Sequence, residues 1–472
     1  MKLLGLKLNK DILILGLGNI PRFILLIVYT RLQTYFLDYE NLSRFYLVFS
    51  IYTFFSFIII GPVGTYVTRN ILEWYKSNQI NSGLREIFLK IIIPIAICAF
   101  IILALLSSAF EFSANTIYIA LIICLIIISK TANELIFPVF NLIDKNLVYL
   151  FLVLVFHILN PVFSVAIIKI YEPTFGFWLT GLILSNLVVA IIGWNIISKL
   201  PQNNTIELNF KQLRSFSYYI MLGNILAWTL TDGFRFIAEV KIGLANTGIL
   251  ILGLMAASQI FANIEVLMNQ FLMPRYLQKI AKADYFSRSK AFNNLLNASV
   301  PLYLIIVIVS SQLSEEVLNI IIDKSKINIS LVGVFITGIW IEFIKIVLNT
   351  LKNILTSEYR TNSIIPPFLL GAFILLSGLF SNQFNSIGFI ADLILSSYIF
   401  VIAFSLISFN RIIKIKFDFR FFVKKIWLIL LIYILFYFMP DYSEILNLIS
   451  IIVSISVIYS IIDSYNKNSS KL

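Results

Sequence analysis

The chain predicts an all-α membrane protein of about fourteen transmembrane helices, and three observations carry that prediction. The first is composition: 59% of its 472 residues are hydrophobic and only 13% are charged, where an ordinary soluble domain carries roughly a quarter charged residues. The second is blocking. The apolar residues fall in runs of about 18 to 25, each long enough to cross the ~30 Å hydrocarbon core of a bilayer as a helix. The third is charge asymmetry. Once the runs are threaded through a membrane with the N-terminus inside, 26 of the 36 Lys and Arg lie on the inner side. Six lie outside (Arg31, Arg44, Lys169, Lys241, Lys324 and Lys326), and four fall within spans. That is the bias expected of a polytopic membrane protein with both termini cytoplasmic.

The spans run at about 12–30, 45–68, 87–110, 116–140, 147–169, 174–197, 215–238, 246–273, 293–312, 327–350, 364–381, 386–409, 424–439 and 443–462. Inside lipid the backbone must satisfy its own hydrogen bonds, so the many Ile, Val and Phe residues read as helix rather than sheet. Lys2, Lys7 and Lys10 before the first apolar run resemble a signal peptide, but no small-x-small cleavage site follows, which favours a retained first span. The longest loop, about 274–292, is too short to be a domain. Gly61-Pro62, Asn160-Pro161 and Pro366-Pro367 are expected to break helices at membrane depth. The net charge of +12 is that of basic inner loops facing anionic lipid and calls for no nucleic acid. The basic stretch 411–425, with phenylalanines interleaved, is expected to lie on that surface.

The two halves repeat. Leu17-Gly18-Asn19-Ile20 recurs as Leu222-Gly223-Asn224-Ile225, and Arg69 ending span two corresponds to Arg275 ending span eight. Glu134, Ile136, Val139 and Asn141 recur as Glu342, Ile344, Val347 and Asn349, and Leu182-Ile183-Leu184-Ser185 as Leu393-Ile394-Leu395-Ser396. A six-span unit enters the membrane the same way twice. The prediction is therefore two lobes, 1–213 and 214–422, related by a parallel pseudo-two-fold along the membrane normal, plus two additional helices in 423–472. In transporters built this way the substrate site lies between the halves.

Charges inside the bilayer mark the candidate site, because each costs roughly 2.5–3.5 kcal/mol at the membrane centre unless it faces protein or water. They gather on a few spans: Arg22 on the first, Lys130 and Glu134 on the fourth, Asp232 and Arg235 on the seventh. Glu265 lies on the eighth, Glu342 and Lys345 on the tenth, and Asp392 on the twelfth. Lys130, Glu134, Pro138 and Asn141 share one helix stripe; Glu342, Lys345 and Asn349 form its counterpart. Lys130–Glu134, Glu342–Lys345 and Asp232–Arg235 read equally as structural ion pairs or as substrate and coupling groups. Arg22 has no acid within a turn, leaving snorkelling, a distant partner such as Asp232 or Glu265, or an anionic ligand. His157, the single histidine, is either a proton relay or a packed core residue. One histidine and two cysteines within apolar blocks, Cys98 and Cys124, leave no basis for a metal site or a disulfide framework. Walker A, Gly-x-Ser-x-Gly and paired metal-ligand motifs are absent from the sequence, so no cofactor and no enzymatic reaction are predicted.

With Gly18-Asn19-Ile20-Pro21-Arg22 at its start, Gly61 through Arg69 closing span two, Asp232 and Arg235 in span seven, and Asn141 and Asn349 closing spans four and ten, the chain resembles the Wzx-type polysaccharide repeat-unit flippases. These belong to the multidrug/oligosaccharidyl-lipid/polysaccharide (MOP) transporter superfamily. The resemblance implies two six-helix lobes around a cationic cavity. It implies as substrate an oligosaccharide linked to undecaprenyl diphosphate, flipped from the inner to the outer leaflet for O-antigen or capsule assembly, beside a polysaccharide polymerase and chain-length proteins. Arg22, Lys130, Arg235 and Lys345, with Asn141 and Asn349, are then the substrate-binding candidates. Glu134, Asp232, Glu265, Glu342 and His157 are the coupling or ion-pair candidates. The nearly equal number of interior acids departs from a purely cationic lumen. A drug/cation antiporter or lipid II flippase of the same superfamily is the alternative within transport, and a membrane polymerase or glycosyltransferase the alternative outside it.

Overall fold

The computed structural model describes residues 10–105, 116–143, 145–201, 210–272, 284–357, 361–381 and 386–416, with single positions between and after these segments. Spans thirteen and fourteen and the two chain ends lie largely outside the described residues. Within them the chain is helical and contains no strand. Among the described residues, ten helical stretches are long and apolar enough to cross a membrane, which makes this a multi-pass membrane protein.

The helices are α1 (Lys10–Phe36), α2 (Tyr39–Lys76), α3 (Ile80–Leu105), α4 (Thr116–Leu142), α5 (Asn146–Ile170) and α6 (Phe175–Ser198). They continue as α7 (Phe210–Trp228), α8 (Phe234–Phe271), α9 (Tyr285–Gln312), the short α10 (Ser314–Ile321), α11 (Ile329–Ser357), α12 (Ile365–Phe380) and α13 (Ile387–Asn410). Apolar helical chain covers Ile220 to Val266, 47 residues, but as two helices joined at a kink: the backbone of Gly243 is non-helical, and its φ of 79° suits a residue without a Cβ. Spans seven and eight meet at that kink.

The prolines act in different ways. Before Gly61-Pro62, α2 widens into a π turn over Ser56–Ile60, whereas α5 runs straight through Pro161. Pro366 and Pro367 open α12 instead of breaking a span, because first-turn N–H groups have no intrahelical acceptor to lose.

By compactness the chain divides into Met1–Ile251 and Leu252–Leu472. The boundary falls within α8, so α7 and the start of α8 pack with the first six helices. In the first unit, α4 and α6 are tied by Asn133 Nδ2 donating to Asn186 Oδ1 at 2.9 Å. α5 and α6 touch backbone to backbone, since a Cβ on Gly181 would run into Ser164. Trp178, fully buried, donates through Nε1 to the Tyr29 hydroxyl at 2.7 Å. Without a hydrophobic drive between helices in lipid, small residues and side-chain hydrogen bonds supply the specificity. In the second unit α8 and α11 meet at Gly338, where an added Cβ would sit 3.1 Å from that of Ala257.

Candidate functional site

In the first unit, α7 docks on α2 through a polar ladder. Asn224 Nδ2 donates to the Phe57 carbonyl at 2.7 Å, and Trp228 Nε1 to the Ser50 carbonyl at 3.1 Å. Arg235 Nη1 donates to Ser50 Oγ at 3.0 Å. A π turn lies on each side of this contact, Ser56–Ile60 in α2 and Thr229–Gly233 after α7. Widening by one residue frees a carbonyl and re-aims side chains, and here Phe57, whose carbonyl takes Asn224, and Asp232 lie inside the two turns. Asp232 is buried and pairs with Arg235 at 2.8 Å, while Thr231 Oγ1 donates to its other oxygen at 3.1 Å.

On the neighbouring face of α2 the expected Lys130–Glu134 ion pair does not form. The Tyr52 hydroxyl donates to Glu134 Oε1 at 2.9 Å. The Lys130 ammonium lies 4.3 Å above the Phe49 ring and 4.5 Å above that of Tyr52. Aromatic faces supply the lysine with a negative quadrupole, leaving the carboxylate exposed. Glu134 lines a cavity of about 510 Å³ with Gly61, Gly64, Thr65, Thr68 and Arg69 of α2. Those four small or hydroxylated residues occupy one face at helical spacing, and no atom lies within 4 Å of where a Cβ on Gly64 would stand.

Arg22 lies mid-way along α1. Its Nε is buried without a hydrogen-bond partner, and among the described residues no acid pairs with it. Asp232, one of its expected partners, is taken by Arg235. His157 of α5 feels the charge of Arg22, and its ring packs edge-on to Phe156 at 5.1 Å. Asn141 is exposed at the end of α4.

In the second unit, Glu342 and Lys345 of α11 form the expected ion pair at 2.6 Å. Asn349 Nδ2 donates to Glu265 Oε1 of α8 at 3.0 Å. The residues matched by the sequence repeat thus differ in environment: Glu134 accepts from a phenol and Glu342 from an ammonium, and Asn349 binds an acid while Asn141 is exposed.

The participants that sequence reasoning missed are Ser50, Tyr52, Thr65, Thr68 and Trp228. Gly61, Gly64, Thr65 and Thr68 were visible as a polar stripe within an apolar run. Nothing local singles out Ser50 or Tyr52.

No protein-family model and no curated protein sequence matches the chain. Solved structures do. The chain is similar to the lipid II flippase MurJ in an inward closed conformation, with a TM-score of 0.65 and 15% identity over 97% of this chain and 99% of that one. It is similar to an inward-facing multidrug-resistance MATE transporter of the MOP superfamily at a TM-score of 0.63 and 10% identity, over 83% of this chain and 94% of the other. A MOP-superfamily transporter from Pyrococcus furiosus, described as having a binding pocket of reversed polarity, matches at 0.53 and 10% identity over 86% and 99%. At such identities the likeness is one of architecture. The chain carries the fold shared by the lipid II flippase MurJ and the MATE transporters of the MOP superfamily.

Proposed function

We propose that the protein is a flippase that carries oligosaccharide repeat units linked to undecaprenyl diphosphate from the inner to the outer leaflet of a bacterial cytoplasmic membrane, for surface polysaccharide assembly. The observation that carries this reading is Arg22: a guanidinium on a membrane helix, with a buried Nε and, among the described residues, no acid paired with it. An isolated cation in a region of low effective dielectric attracts a diphosphate far more strongly than it would in water, and a guanidinium matches phosphate oxygens bidentately. Lys130, held over two rings rather than against an acid, is the second available cation. Glu134, facing the cavity, serves as the coupling group whose protonation or cation binding accompanies the cycle. Within this reading, repeats 1–213 and 214–422 provide alternating access, both termini are cytoplasmic, and a polysaccharide polymerase receives the product. Lys345, whose charge Glu342 already neutralises, serves structure more than binding, and Arg235 does the same beside Asp232.

The test is surface polysaccharide in a flippase-null strain, with membrane levels of each variant measured alongside. Each lost charge-assisted hydrogen bond costs about 1.5–3 kcal/mol, so Arg22→Ala should weaken substrate capture about 10- to 150-fold and abolish export at normal expression. Arg22→Lys should retain part of it, because charge survives while the bidentate fork is lost. Full export by Arg22→Ala, with export lost in Glu134→Gln, would favour an ion-coupled antiporter resting on the acids.

A further inference from the structure

At one membrane end of the second unit, the segment after α13 folds back along α9 and is pinned there. Ser289 Oγ and Asn293 Nδ2 both donate to the Lys414 carbonyl at 3.0 Å. The Lys416 amide donates to Asn293 Oδ1 at 2.8 Å and the Asp418 amide to Asn297 Oδ1 at 3.0 Å. Ile413, fully buried, anchors the segment's start.

This strap and α9 together line an open cavity of about 450 Å³ to which Lys290, Lys414, Lys416, Asn294 and Asp418 all contribute. Three exposed lysines against one acid line it, on a backbone held by these hydrogen bonds, so an anion entering it meets a net positive wall. Beside the opening, Tyr285 and Phe286 are 48% and 74% exposed, side chains of the kind that sit at lipid headgroup level.

We propose that this cavity binds the phosphodiester headgroup of an anionic phospholipid, with Lys290, Lys414 and Lys416 as its ligands and the aromatic pair against the acyl chains. The site is distinct from the Arg22 region and its test does not depend on transport. Native mass spectrometry of the full-length protein, titrated with phosphatidylglycerol or phosphatidylcholine, should show retained phosphatidylglycerol only. Each Lys→Gln change should weaken it about fivefold, since one basic residue near an anionic surface contributes about 1 kcal/mol. The triple variant K290Q/K414Q/K416Q should weaken it about 100-fold. N293A/N297A, which frees the strap without removing a charge, should weaken it also, and K324Q/K326Q, remote in sequence, should leave it unchanged. Equal retention by the triple variant and the unaltered protein, an equal loss in K324Q/K326Q, or inorganic phosphate competing as tightly as the lipid would each overturn the assignment.

Discussion

The Asp232–Arg235 pair offers the sharpest quantitative test of how the first unit is held together. The two groups meet at 2.8 Å, and their side chains are only 9% and 16% exposed. The guanidinium also reaches across to Ser50 of α2. Removing one partner of such a pair strands the other as a buried charge, at a cost of about 3–5 kcal/mol. Asp232→Asn leaves Arg235 with the Ser50 hydroxyl and the Tyr46 ring, and Arg235→Gln leaves Asp232 with the Thr231 hydroxyl. The double variant D232N/R235Q strands neither charge and should be no less stable than the milder single variant. The coupling energy is then about 3 kcal/mol, at the upper end for residues in direct contact. Reversible unfolding in mixed micelles, followed by tryptophan fluorescence and far-ultraviolet circular dichroism, measures all four proteins. Strictly additive losses, or single variants within about 1 kcal/mol of the starting protein, would refute the claim that this pair couples the start of α8 to α2.

Two further outcomes follow from the packing. In double-mutant cycles the Tyr52–Glu134 coupling should exceed the Lys130–Glu134 coupling, because the phenol touches the carboxylate and the ammonium does not. The charge swap K130E/E134K should accordingly fail to restore export, and rescue by that swap would point to a direct ion pair. Gly181→Ala should destabilise the protein by about 1–3 kcal/mol by forcing α5 and α6 apart, whereas Gly333→Ala, in open space on α11, should be neutral or stabilise by up to about 1 kcal/mol; equal effects at both sites in the same unfolding assay would count against the close backbone approach.

Fold class and span positions were legible in the sequence because a bilayer imposes a length and a polarity on every segment that crosses it. Spans four, five, six, eleven and twelve recur as helices with nearly the predicted ends, the helices of spans two, three and nine begin well before the predicted starts, spans seven and eight fall in one helical stretch kinked at Gly243, and the first recurs as α1. Intramembrane charge was legible for the same reason: a group so costly in lipid must have a role, and Glu342–Lys345 and Asp232–Arg235 could be paired from helical spacing alone. Lys130–Glu134 shows where that logic stops. The i, i+4 spacing placed the two on one face, but Phe49 and Tyr52, some eighty residues earlier, decided that the lysine lies on rings and the acid on a hydroxyl. The cavity along Gly61, Gly64, Thr65 and Thr68 and the pinned strap at Lys414–Asp418 likewise depend on which helix lies alongside. Spacing along one helix reports that helix's own faces. What each face meets is set by packing between segments distant in the chain, and only the tertiary structure holds that information.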